Sequence, residues 1–94
     1  MMNLRRNRDF DKDFARLPQK HKGQVATRIM ELWKIPPHPH DCRHLKGHPD
    51  CFRIDSGEYR IIYKIHKHEN VVEVIEVGQR NDDDIYKKIE RKNS

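Results

Sequence analysis

Three arginines stand at corresponding places in three strand-like segments of the chain. Arg53 lies in residues 51–55, where Phe52 and Ile54 alternate with Arg53 and Asp55. Arg60 lies in residues 59–65, where Tyr59, Ile61, Tyr63 and Ile65 alternate with Arg60, Ile62 and Lys64. Arg80 follows a third such segment, residues 71–77, across Gly78. A period of two sends successive side chains to opposite faces of a sheet. If the apolar set faces a core, Arg53, Arg60 and Lys64 share the other face, and the parity of Glu76 through Gly78 brings Arg80 there as well. Three guanidinium groups converging on one surface suit a phosphate or a developing oxyanion. The plainer alternative is a row of charges guarding exposed strand edges.

A second constellation competes. His38, His40, Cys42, His44, His48 and Cys51 are six potential zinc ligands within 14 residues. They form no CxxC or HxxxH pair, and Pro36, Pro37 and Pro39 prevent the run from presenting one regular face. Loop histidines and free thiols are therefore expected, with no metal and no cofactor.

The elements that must position the arginines can be followed along the chain. Residues 2–6 give a weak strand signal, with Leu4 among polar neighbours. Phe10, Phe14 and Leu17 recur at i, i+4 and i+7, which predicts a helix that Asn7 or Asp9 caps. Pro18 ends it. A second helix over residues 19–34 carries Val25, Ile29 and Leu32 on one stripe, widened by Ala26, Met30 and Trp33. The two read as an antiparallel helical hairpin. Residues 35–40, with three prolines, form a connector. Strands follow at 51–55, 59–65 and 71–77, the first two joined through Asp55-Ser56-Gly57, the third with Val71, Ile75 and Val77 on one side. A short helix, capped by Asn81 or Asp82, closes the chain. The expected fold class is α+β: one domain spanning residues 1–94, a small antiparallel sheet with the helical hairpin on one face and a short C-terminal helix.

Composition bounds what such a domain does. The chain has 94 residues, 37% of them charged, and a formal net charge of +5, enough for one compact core and not two. Residues 1–22 hold seven Lys or Arg against three Asp, so most of the excess charge is N-terminal. Attraction to a polyanion fits this balance, as does a well-solvated basic helix face. No run reaches the apolar length of a membrane helix, and Arg5, Arg6 and Arg8 occupy the place of a signal peptide's apolar stretch. A cytoplasmic protein is expected, with no membrane partner and with Cys42 and Cys51 as thiols.

Taken in order, Leu45-Lys46-Gly47, Cys51-Phe52-Arg53-Ile54, Gly57 to Tyr63, Val77-Gly78-Gln79-Arg80 and Ile85-Tyr86 resemble the RelE branch of the RelE/ParE toxin superfamily. Residues 10–18 resemble that family's first helix, so the likeness runs from about residue 4 to 90. It implies the toxin of a type II toxin–antitoxin pair, an mRNA interferase that cleaves mRNA in the ribosomal A site and so inhibits translation. It also implies a cognate antitoxin protein as partner, alongside the ribosome and mRNA, and contact with operator DNA only through the antitoxin complex. An amphipathic antitoxin segment is expected to cover apolar surface and bring acidic groups near Arg60 and Arg80.

Cutting RNA without a metal uses the 2′-hydroxyl as nucleophile on the adjacent phosphate, which needs a base, cations at the phosphate and a proton source for the leaving oxygen. By the resemblance Arg60, Arg80 and Tyr86 are catalytic: Arg60 stabilises phosphate charge, Arg80 clamps it, and Tyr86 is the general base. Lys46 and Arg53 assist in substrate and phosphate binding. One position departs from the family pattern. Its best-known members carry a Lys-x-Lys pair on the second strand, and the matching places in this chain are Arg53 and Asp55. A carboxylate there repels phosphate, so Asp55 is turned away, is paired, or is compensated by a group such as Lys46. His44 and His48 are further candidates for acid or base. Two rivals stay open: a ParE-like inhibitor of DNA gyrase, and a catalytically inert relative that binds RNA or antitoxin.

Overall fold

The computed structural model describes residues 3–33 and 39–79. The first strand, β1, is Asn3–Arg6. Helix α1, Arg8–Ala15, starts where the Asn7 side chain accepts a hydrogen bond from the Asp9 backbone N–H at 2.8 Å, satisfying one of the donors a helix start leaves unpaired. Pro18 separates it from α2, Gln19–Met30, and the backbone N–H groups of His21 and Lys22 donate to the Pro18 carbonyl. A single 3-10 turn, Glu31–Trp33, follows, so regular α-helix stops short of the expected residue 34.

Four more strands complete the sheet: β2, Arg43–Leu45; β3, His48–Ser56; β4, Tyr59–His66; and β5, Val71–Gln79. Their order is β1-β5-β4-β3-β2. The α+β class holds, but the sheet is mixed rather than antiparallel, because β1 pairs parallel with β5 while the other neighbours are antiparallel. Gly57 takes φ +59° in the turn between β3 and β4, a left-handed conformation that the absence of a Cβ permits.

Helices and strands meet in one core. Phe10, Leu17, Val25, Ile29 and Leu32 pack with Phe52, Ile54, Ile61, Tyr63, Ile65, Val72, Val74 and Val77. Helix α1 lies against β5, and α2 approaches β3. Ala26 and Met30 do not widen the apolar stripe of α2: both are exposed, Met30 by 51%. A smaller cluster of Leu45, Cys51, Ile62 and Ile75 occupies the other side of the sheet.

The third expected strand is present, but its apolar side differs from the periodic reading. A register shift between Ile62 and Tyr63 pairs them with Glu76 and Val74, leaving Ile75 as the extra residue of a bulge. The bulge reverses parity midway, so Val72, Val74 and Val77 face the helices while Ile75 joins the opposite cluster. The expected C-terminal helix, Arg80 and Tyr86 lie outside the described residues, as does His38. No helix among the described residues is long and apolar enough to cross a membrane.

Candidate active site

The face of the sheet turned away from the helices carries two of the predicted cations, Arg53 and Arg60. Arg53 is opposite Ile62, which is opposite Glu76; Asp55 is opposite Arg60, which is opposite Gly78. Their sequence neighbours Phe52, Ile54, Ile61, Tyr63 and Val77 all point into the helix-side core, which fixes the direction of this set. Arg53 and Arg60 are therefore diagonal neighbours on adjacent strands, about 7–8 Å apart at the backbone. Both are half-buried, and Arg53 forms no ion pair among the described residues. Glu76 is on the same face and only 1% exposed.

Arg60 is held by a carboxylate from the neighbouring strand. Its Nε donates to Asp55 Oδ1 at 3.0 Å, with the arginine side chain 14% exposed and the aspartate 34%. Of the three alternatives for Asp55, the paired one is realised. The pair is anchored from behind: Arg28 on α2 donates from Nε to the Asp55 backbone carbonyl at 3.0 Å. Arg28 in turn grips both oxygens of Asp41 at 2.7 and 2.6 Å and donates to Glu31 at 2.7 Å.

The electrostatics of that anchor are mutual. Burial opposes the charge of Arg28, but its hydrogen bond to Asp41 and the attraction of Asp41 and Glu31 outweigh this and raise its pKa. The hydrogen bond from Arg28 holds the Asp41 carboxyl below its usual range, against the opposing effect of burial. Arg28 had a signal in the sequence. It stands three residues after Val25 and four before Leu32, on the edge of the apolar stripe of α2, where a lone arginine must find partners. Asp41 and Glu76 carried no such signal, being one acid in a proline-rich connector and one in an apolar strand.

The remaining candidates are not gathered here. Lys46 is exposed in the turn between β2 and β3, and β3 then runs from His48 to Asp55 before reaching Arg60. Seven residues of strand at about 3.3 Å each separate the two ends, so neither Lys46 nor His48 is gathered beside Arg60. His44 sits on the edge strand with its ring 4.3 Å from that of Phe52, on the helix side of the sheet. The described part of the ligand-like run, residues 40–51, does not converge either. Cys51 is in the smaller cluster, whereas Cys42 packs against the helix-side core, and no group of three metal-ligating side chains forms among the described residues.

Tyr63 is completely buried, and burial, followed by its interaction with Cys42, pushes its phenol far above the ordinary value. It cannot lose a proton near neutral pH. Outside the site, a second polar network joins β1 to the centre of the sheet: Glu73 accepts from His66 at 2.8 Å, Arg5 at 3.4 Å and Asn7 at 3.4 Å. Burial raises the Glu73 pKa, but those three hydrogen bonds outweigh it and leave the group lowered.

Comparison with known proteins gives the family and the fold. The family described as the ParE toxin of the type II toxin–antitoxin system, parDE, matches residues 4–84. The mRNA interferase toxin RelE of Escherichia coli is 31% identical over 84 residues, covering 83% of this chain and 86% of the relative. The isolated E. coli RelE toxin has a similar fold, with a TM-score of 0.74 and 24% identity over 100% of both chains. The toxin in the intact E. coli RelBE toxin–antitoxin complex gives 0.73 at 26% identity, over 87% of this chain and 100% of that one. An archaeal RelE–RelB complex from Pyrococcus horikoshii gives 0.66 at 21% identity, over 85% and 96%.

Proposed function

The chain belongs to the RelE/ParE superfamily of type II toxins, in its RelE branch, and we propose that it is an endoribonuclease that cuts mRNA in the ribosomal A site. The observation that carries this reading is the pair of arginines, Arg53 and Arg60, side by side on the sheet face that the helices leave uncovered. Arg60 stabilises the charge that develops on the phosphate, and Arg53 binds the adjoining backbone.

The chemistry is a transphosphorylation within the RNA. A base takes the 2′-hydroxyl proton, the oxygen attacks phosphorus, and the bond to the 5′-oxygen breaks, yielding a 2′,3′-cyclic phosphate and a 5′-oxygen that takes a proton from water to become the 5′-hydroxyl. Tyr86, on a short C-terminal helix, is the base; its phenol starts near pKa 10 and needs neighbouring guanidinium groups to lower it. Arg80, continuing the parity of Glu76 and Gly78, clamps the phosphate. With a pKa above about 12 it is a poor acid. Lys46, at the far end of β3, takes a place along the outer track of the substrate rather than at the scissile phosphate.

No cofactor enters the scheme. The partners are a cognate antitoxin, the ribosome and its mRNA, with operator DNA reached through the antitoxin complex, and the setting is the cytoplasm where ribosomes work. With no strong acid beside Arg60 among the described residues, the site depends on a ribosome to orient its substrate. The family description also covers the ParE toxins, which favours one second reading, inhibition of DNA gyrase. Programmed ribosomes and free mRNA, each incubated with the protein and mapped by primer extension, separate the two. Cuts in ribosome-bound message alone support the proposal. Intact message together with trapped gyrase–DNA cleavage products would replace it.

A further inference from the structure

We infer that Asp55 is a positioning residue for Arg60, a carboxylate that sets the guanidinium for catalysis at the expense of substrate affinity. The inference rests on reading Arg60 as the phosphate-binding arginine of an RNA-cleaving site. A negative charge at this position looks at first like damage, since it opposes a polyanionic substrate. The contacts describe something else. Asp55 and Arg60 are directly opposite in the β3–β4 register, and Asp55 Oδ1 accepts from Arg60 Nε at 3.0 Å.

A bond at Nε constrains the plane of the guanidinium in a way that a contact at the tip of a flexible lysine does not. The Arg60 side chain is 14% exposed, so solvent screens the pair less than it would a surface bridge. The aspartate itself is fixed at its backbone. Arg28 holds the Asp55 carbonyl at 3.0 Å while Asp41 and Glu31 hold Arg28. A line of alternating charges thus runs from the connector, through α2, to the arginine of the site.

Two effects of opposite sign follow. The Asp55 charge weakens the attraction of the site for any phosphate, in ground state and transition state alike. The Asp55 hydrogen bond fixes the orientation in which Arg60 meets charge that develops only in the transition state. Removing the charge while keeping the acceptor, as in Asp55→Asn, is expected to lower KM and preserve kcat. Removing both, as in Asp55→Ala, is expected to lower KM and reduce kcat by about 10- to 100-fold, the scale of a misplaced catalytic group. Asp55→Lys supplies a cation but no acceptor, and its kcat falls as well.

The test combines single-turnover cleavage on programmed ribosomes with NMR of the Arg60 Nε–H group, assigned by its loss in Arg60→Lys. The expected NMR result is an ordered Nε–H in wild type and Asp55→Asn and a mobile one in Asp55→Ala. A kcat in Asp55→Ala or Asp55→Lys equal to or above wild type would overturn the inference, as would a kcat loss in Asp55→Asn matching that in Asp55→Ala. If Asp55→Ala does not fold, Asp55→Asn still decides through its kcat and KM. If the wild-type protein cuts no message, the functional reading fails, and the NMR comparison alone decides whether Asp55 orders Arg60.

Discussion

Asp55 Oδ1 lies 3.0 Å from Arg60 Nε across the β3–β4 ladder, so the acid that breaks the expected run of cations is bonded to the arginine proposed to meet the phosphate. Arg60 therefore has a fixed neighbour on its own sheet before any substrate arrives. Its substitution separates charge from geometry. Arg60→Ala is expected to reduce cleavage on programmed ribosomes by about 100-fold or more, the scale of a lost transition-state donor. Arg60→Lys keeps the charge but has no Nε–H to give Asp55 and is expected to recover only a small part of the rate.

Arg28 is the structural keystone behind that pair. Arg28→Met leaves the Asp41 carboxylate without its two short hydrogen bonds and the Asp55 carbonyl without its donor. Arg28 is 19% exposed and Asp41 39%, so solvent screening offsets part of the loss. A destabilisation of about 1–3 kcal/mol is expected from urea denaturation, the range for leaving a buried hydrogen-bond partner unsatisfied.

Acid sensitivity follows from the two lowered carboxyls. Asp41 and Glu73 titrate below their ordinary values of 3.8 and 4.5 in the folded protein. A depressed folded pKa contributes stability that is present above the unfolded value and is lost as pH falls through the folded one. The midpoint in urea is therefore expected to be flat from neutral pH to about 5 and to fall progressively below the ordinary carboxylate range. Asp41→Asn and Glu73→Gln each flatten that acid limb; a limb unchanged in both would contradict the assignment.

Tyr63 and Tyr86 are expected to behave oppositely. Tyr63 is buried against Cys42 with its phenol pushed upward, so Tyr63→Phe keeps the cleavage rate and costs about 1 kcal/mol of stability for the lost hydrogen bond. Tyr86→Phe, if Tyr86 is the base, keeps stability and loses the rate. Thermal denaturation beside single-turnover kinetics reads both.

Much of this framework was legible in residue spacing. Phe10, Phe14 and Leu17 marked α1, Val25, Ile29 and Leu32 marked the buried stripe of α2, and the alternation through Phe52, Ile54, Ile61, Tyr63 and Ile65 placed Arg53 and Arg60 together on the other face. The failures have physical causes. Strand β2 is three residues long with Leu45 as its one buried apolar group, too short to show a period. The parallel pairing of β1 depends on β5, nearly seventy positions away, and no local pattern encodes it. Periodicity also assumes a regular ladder, and the bulge at Ile75 moved Val72 and Val74 to the face assigned to their neighbours. The bond from Asp55 to Arg60 is a matter of register across a hairpin, and the hold of Arg28 on Asp55 a matter of tertiary packing. Spacing named these residues without revealing their partners.

Primer extension of mRNA on purified, programmed ribosomes, with wild-type protein beside folded Arg60→Ala, tests the central claim most directly. The account predicts cuts at fixed positions within the A-site codon that appear with wild type and vanish with Arg60→Ala. Cuts of undiminished strength in Arg60→Ala, or an intact message with the wild-type protein, would contradict it.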